Sequence, residues 1–140
     1  MTAKEYLSRA FFLDKEIASM LEQIENLKAL ATRATSVICA SRVGGTDRRS
    51  KVEDGICRII EMENQINDRI DELIDTKDEI CALIRKIDDE YLRRLLEYRY
   101  VCYHSMEEIS DKLCYSYRHT LRLHAKALEL VQELIDKKSA

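Results

Sequence analysis

Apolar or small residues recur along the first helical stretch at Tyr6, Ala10, Leu13, Ile17, Met20, Ile24, Leu27, Ala31 and Ala34, in steps that alternate between four and three. A heptad rhythm of this kind lines up one stripe on a long helix, and that stripe demands a partner helix. A second series supplies one: Val52, Ile56, Ile59, Ile66, Ile70, Leu73, Ile80, Ile84 and Ile87. Glu63 and Lys77 interrupt it, either as charged seam positions that fix register or as residues on the solvated margin of a wider bundle. From Ser36 to Arg49 the pattern loosens, and Gly44-Gly45 with Thr46 and Asp47 marks a loop. Helices of about 35 residues reach roughly 50 Å, so the two are predicted to fold back as an antiparallel hairpin. Thr2 with Glu5 and Ser50 with Glu53 have capping-box spacing at the two helix starts. Phe11, Phe12, Leu21, Leu30, Ile60, Ile74, Cys81 and Leu83 broaden the apolar surface beyond a two-helix seam. A homo-oligomer through this hairpin would cover it.

Composition agrees with helix throughout. The chain has no proline, three glycines and 35% charged residues, so the expected fold class is all-α. No apolar run of about 18 residues is present to span a membrane, and the amino terminus has charges where a signal peptide has its apolar core. The expected location is the cytoplasm. The five cysteines, Cys39, Cys57, Cys81, Cys102 and Cys114, are odd in number and unpaired in spacing, which predicts free thiols, with Cys57 and Cys81 as small buried apolar groups. Cys102, His104 and Cys114 lack the paired ligand spacing of structural zinc, so neither metal nor cofactor is expected.

The residues after the hairpin are punctuated differently. Asp88-Asp89-Glu90 closes the second helix and favours a new start, giving a joint between a hairpin domain, 1–88, and a C-terminal domain, 89–140. A supporting helix from about Tyr91 to Tyr103 offers Leu92, Leu95, Leu96, Tyr98 and Tyr100. Ser105 and Glu108 form a further capping box, with Met106, Ile109 and Leu113 on one face. Cys114-Tyr115 breaks that helix, and Ser116 is the next N-cap. Thr120, Leu123, Ala127 and Leu128 then mark the inner side of a helix over about 116–128. The spacing is that of a helix-turn-helix.

The second helix carries no acidic residue from Ser116 to Leu128, but holds Arg118, Arg122 and Lys126, with His119 and His124 able to add charge at lower pH. In a helix-turn-helix the first turns of this element enter the major groove of double-stranded DNA. Tyr117, Arg118, Leu121 and Arg122 are therefore the base-facing candidates, and His119 and Lys126 the backbone-facing ones. Charge is divided in the same sense: residues 1–90 hold 14 basic and 19 acidic side chains, residues 91–140 hold 9 and 7. That surplus predicts modest, salt-dependent non-specific binding. The basic loop of Arg42, Arg48, Arg49 and Lys51 reads as a solvated turn.

Met106-Glu107-Glu108-Ile109, the cap Ser116 and Ala125-Lys126-Ala127-Leu128 resemble region 4 of bacterial sigma factors, and Tyr91–Tyr100 resembles the helix leading into that motif. This likeness covers roughly the last 50 residues. The start Met1-Thr2-Ala3-Lys4-Glu5-Tyr6-Leu7 and the run Ala31–Ser36 resemble small phage or prophage proteins with such a C-terminal domain. The resemblance implies a transcriptional regulator of late phage genes in a bacterial host, with DNA and RNA polymerase as partners. Sigma factors commonly have Arg-Glu-Arg where this chain has Tyr117-Arg118-His119, and an Ile where it has Thr120, so the promoter sequence does not carry over. At 140 residues the chain is not expected to act as a complete sigma factor. The competing expectation is a helical interaction or assembly protein that contacts polymerase or another protein without reading DNA. No nucleophile–base pair, glycine-rich phosphate loop or metal spacing points to an enzyme.

Overall fold

The computed structural model describes the backbone of residues 1–41 and 46–139, and side chains of residues 1–34 and 50–139. All its regular structure there is helical: α1 (Ala3–Ser41), α2 (Thr46–Ile84), α3 (Glu90–Leu96) with a π-helical continuation Glu97–Val101, α4 (Met106–Leu113) and α5 (Tyr117–Ser139). The glycines expected to form the loop, Gly44 and Gly45, and the side chains of Cys39, Arg42, Arg48 and Arg49 lie outside the described residues. No described helix is long and apolar enough to cross a membrane.

Two compact units share the chain. One is residues 14–72; the other combines residues 1–13 with residues 73–140. Residues 88 and 89, the expected domain joint, separate α2 from α3 but lie inside the second unit, because the ends of the long helices belong with α3–α5. Within the first unit, ion pairs Glu16–Arg69 at 3.3 Å and Lys28–Glu63 at 3.2 Å link α1 to α2 in antiparallel sense. The expected stripe on α1 holds: Ile17 and Ile24 are buried, and Leu13, Met20, Leu27, Ala31 and Ala34 half-buried.

On α2 the inward face is rotated from the expected one. Buried or half-buried positions run Val52, Gly55, Ile59, Met62, Ile66, Arg69, Leu73, Thr76, Ile80, Leu83 and Ile87, again in alternating threes and fours. Ile56 and Ile70, expected in the seam, are 48% and 38% exposed. Glu63 and Lys77 therefore do not interrupt the seam. Met62 and Thr76 occupy those places, Glu63 reaches Lys28 at the margin, and the Lys77 ammonium lies 5.0 Å from the centre of the Tyr103 ring. A glycine, an arginine and a threonine at seam positions hid this register from a pattern based on isoleucine. Ser50 likewise is not an N-cap, since α2 begins at Thr46. The Thr2–Glu5 box forms fully: the Glu5 amide donates to Thr2 Oγ1 at 3.2 Å and the Thr2 amide to Glu5 Oε2 at 2.9 Å.

The second unit is built on one apolar cluster. Ala3, Leu7 and Ala10 of α1, Ile80, Leu83 and Ile84 at the end of α2, and Ile87 just beyond it meet Leu92, Leu96, Tyr100, Ala127 and Val131. Asp89 starts α3 by accepting the amides of Tyr91 and Leu92 at 3.0 and 3.3 Å. Leu92, Leu96 and Tyr100 keep a four-residue spacing, which drifts about 40° per step on an α-helix. The wider π turn after Leu96 counters that drift and leaves Tyr100 only 5% exposed. The predicted helix over 91–103 thus ends in a π turn, closed by Tyr103 at φ 61°. Truncating the fully buried Ile84 to alanine should cost about 2–5 kcal/mol in urea denaturation, whereas Phe12→Ala, at a side chain 66% exposed, should cost less than about 1 kcal/mol.

Candidate nucleic-acid interface

Ser105 Oγ accepts the Glu108 amide at 3.2 Å and so caps α4. The return half of the expected capping box is replaced, because the Glu108 carboxylate pairs with His104 Nδ1 at 2.7 Å. Ile109 is fully buried on the inner face, while Met106 and Leu113 are half-buried. The chain then reverses over Cys114, Tyr115 and Ser116. Cys114 adopts the left-handed conformation at φ 58°, ψ 36°, its amide donating to Asp111 O at 3.3 Å and that of Tyr115 to Ser110 O at 3.1 Å. These two bonds are the Schellman pattern, made here without glycine.

Ser116 caps α5 as expected, its Oγ accepting the His119 amide at 3.1 Å. One turn later Thr120 is fully buried, and its hydroxyl donates to Ser116 O at 2.9 Å. That bond removes the desolvation cost of a hydroxyl among apolar neighbours. Thr120, Ala127 and Val131 are the buried side of α5, with Leu123 and Leu128 half-buried.

The opposite side carries the candidate residues. Tyr117, Arg118, Leu121 and Arg122 fall on adjacent turns of one exposed stripe, with Tyr117 48% and Leu121 40% exposed. Among the described residues neither Arg118 nor Arg122 has an ion-pair partner. His119 is exposed to one side, its ring 4.9 Å from that of Tyr115. Lys126 is exposed too, but it lies farther along and lines a shallow groove with Lys86, Asp89 and Leu130. The structure therefore groups four of the six candidates, adds His119 at the edge and sets Lys126 apart.

Two residues without a predicted role join the edge: Tyr91 of α3 lies 5.8 Å from Tyr115, which in turn meets His119. Tyr91 is 54% exposed. Its approach to the turn depends on packing across 24 residues of chain, and nothing in the local sequence signals it.

His124 does not belong to the basic strip. It is partly buried, and burial, reinforced by the positive charges of Arg99 and Lys4, lowers its pKa to about 4. Its Nε2 and the Tyr100 hydroxyl share a hydrogen bond of 2.7 Å, with the rings stacked 5.8 Å apart. The same burial raises the Tyr100 pKa, so the phenol keeps its proton. Cys57 is exposed and Cys81 half-buried, so the expectation of two buried thiols fails for Cys57. Among the described residues no group of three or more His, Cys, Asp or Glu side chains is placed to hold a metal ion.

The architecture defines an all-α protein whose last two helices meet at a tight turn and expose a basic, partly aromatic stripe. The chain belongs to a family of proteins of unknown function, DUF1492, whose profile matches residues 32–132. No curated protein and no solved structure gives a significant match.

Two outcomes follow for stability. Cys114→Gly should stabilise the fold by about 0.5–1 kcal/mol in urea denaturation, since glycine takes the left-handed turn without the Cβ clash. His124 has a folded pKa near 4, below the unfolded value of 6.5, so only the unfolded chain takes up the proton between those values. Stability should fall as pH drops through that window, by about 1–2 kcal/mol after allowance for solvent screening. Denaturation series from pH 7.5 to 4.5 should show that extra slope in the parent and not in His124→Gln.

Proposed function

We propose that this protein is a sequence-specific transcriptional regulator of phage or prophage type, acting on double-stranded DNA in the cytoplasm of a bacterial host. The single observation that carries the reading is the exposed stripe Tyr117, Arg118, Leu121 and Arg122 on the first two turns of α5, behind the Ser116 cap and without an acidic residue up to Leu128. An Arg fork suits guanine in the major groove, and Tyr117 and Leu121 offer apolar contact to thymine methyl groups. Helix α4 would cross the backbone while α5 enters the groove. His119 and Lys126, seven residues apart on one flank of α5, would meet phosphates, and Tyr115 would hold His119 in place. The likeness of residues 91–128 to sigma region 4 supports the same reading.

A second reading has its own support. Tyr117 and Leu121 are large and exposed, and residues 91–140 exceed neutrality by only two charges, so α5 also suits a protein surface such as that of RNA polymerase.

Selection from a randomised duplex library at about physiological salt separates the two. The proposal expects an enriched motif, and Arg118→Ala and Arg122→Ala should each weaken binding to it by about 1–3 kcal/mol with unchanged helicity. Lys126→Ala should weaken all sequences alike and flatten the salt dependence by about one unit of slope. No enrichment with folded protein, or full affinity in both arginine variants, would move the assignment to the protein-binding reading.

A further inference from the structure

Helix α2 carries a second apolar stripe outside its seam with α1. Ile56, Ile60 and Ile70 are 48%, 52% and 38% exposed, and Ile74, on the same uninterrupted helix, is 53% exposed. With Glu53, Glu63, Asn67 and Lys77 these residues again step in threes and fours, about a third of a turn around the helix from the seam. Such a stripe on a helix whose other face is already occupied calls for another helix.

We propose that the stripe is the contact between two copies of this chain, with their α2 helices antiparallel about a two-fold axis level with Gln65. The order of apolar and polar positions along the stripe is the same from both ends. Turning one copy about that axis sets Ile56 against Ile74 of the partner subunit and Ile60 against Ile70 of the partner subunit. It also sets Glu53 against Lys77 of the partner subunit and Glu63 against Asn67 of the partner subunit. Each isoleucine meets an isoleucine, each end layer pairs opposite charges, and the central carboxylate meets an amide donor. The Glu63 charge is further offset by Lys28 at 3.2 Å within its own chain. Parallel, in-register pairing would instead oppose Glu53, Glu63 and Lys77 each to its own copy, three layers of like charge. Charge complementarity therefore selects both the occupant and its direction, as expected for an isologous two-fold contact.

This pairing does not depend on DNA recognition, and its test contains no DNA. Sedimentation equilibrium of the full chain at about 10–100 µM should give twice the 16.4 kDa chain mass. Ile60→Glu alone and Ile70→Lys alone should each raise the dimer dissociation constant at least about tenfold. The double variant should recover the dimer, because position 60 faces position 70 of the partner subunit and the introduced charges are opposite. In parallel pairing each would meet its own kind and no recovery would follow. Ile60→Ala with Ile70→Ala keeps helix propensity, so it should favour monomer with circular dichroism unchanged. A monomeric parent, single or alanine variants that still dimerise like the parent, or a double variant no better than the singles would each overturn the proposal.

Discussion

Burial of one apolar cluster is the constraint on which the C-terminal helices depend. α3 and α4 have 7 and 8 residues, too short to persist alone in water, so tertiary packing must supply their stability. The first three turns of α1 and the last three of α2 provide it, through Leu7, Ala10, Ile80 and Ile84, with Ile87 just past the end of α2. The start of α1 is tied into the same unit, since the Ala3 amide donates to Gln132 Oε1 of α5 at 2.8 Å. The long helices thus hold α5 by its inner face and leave the opposite one to solvent.

Polar groups at the edge of that cluster are tuned by the same burial. Tyr100 and His124 share one hydrogen bond, and removal from water favours the neutral form of both partners. Thr120 shows a related compromise. Its hydroxyl turns back to the preceding helical turn, and its methyl group remains available for apolar packing.

Most of the helical punctuation was legible in residue types. Thr2, Ser105 and Ser116 cap the helices they were expected to cap, because a cap needs only a short polar side chain and the next three residues. The alternating inner and outer faces of α5 were legible for a similar reason: Thr120 and Ala127 lie inward while Arg118 and Arg122 lie outward at fixed helical angles. Where a partner from elsewhere in the chain competes, local reading failed. Glu108 turns to His104, the Ser50 cap is overrun by a helix that starts earlier, and His124 loses its proton to burial.

By itself the sequence determined that the chain is helical, where most helices begin, and that α2 bears more apolar surface than one partner covers, since period and capping are local properties. Only the tertiary structure decided which of two isoleucine-bearing faces of α2 turns inward. Gly55 and Arg69, half-buried, and Thr76, buried, complete the inward face, and nothing in their hydrophobicity advertises it. It also decided that Tyr91 meets Tyr115, which stands beside His119, and that the ends of the long helices belong with the last three. Those outcomes depend on contacts between residues far apart in the chain, where a one-residue turn of a helix about its axis changes every neighbour.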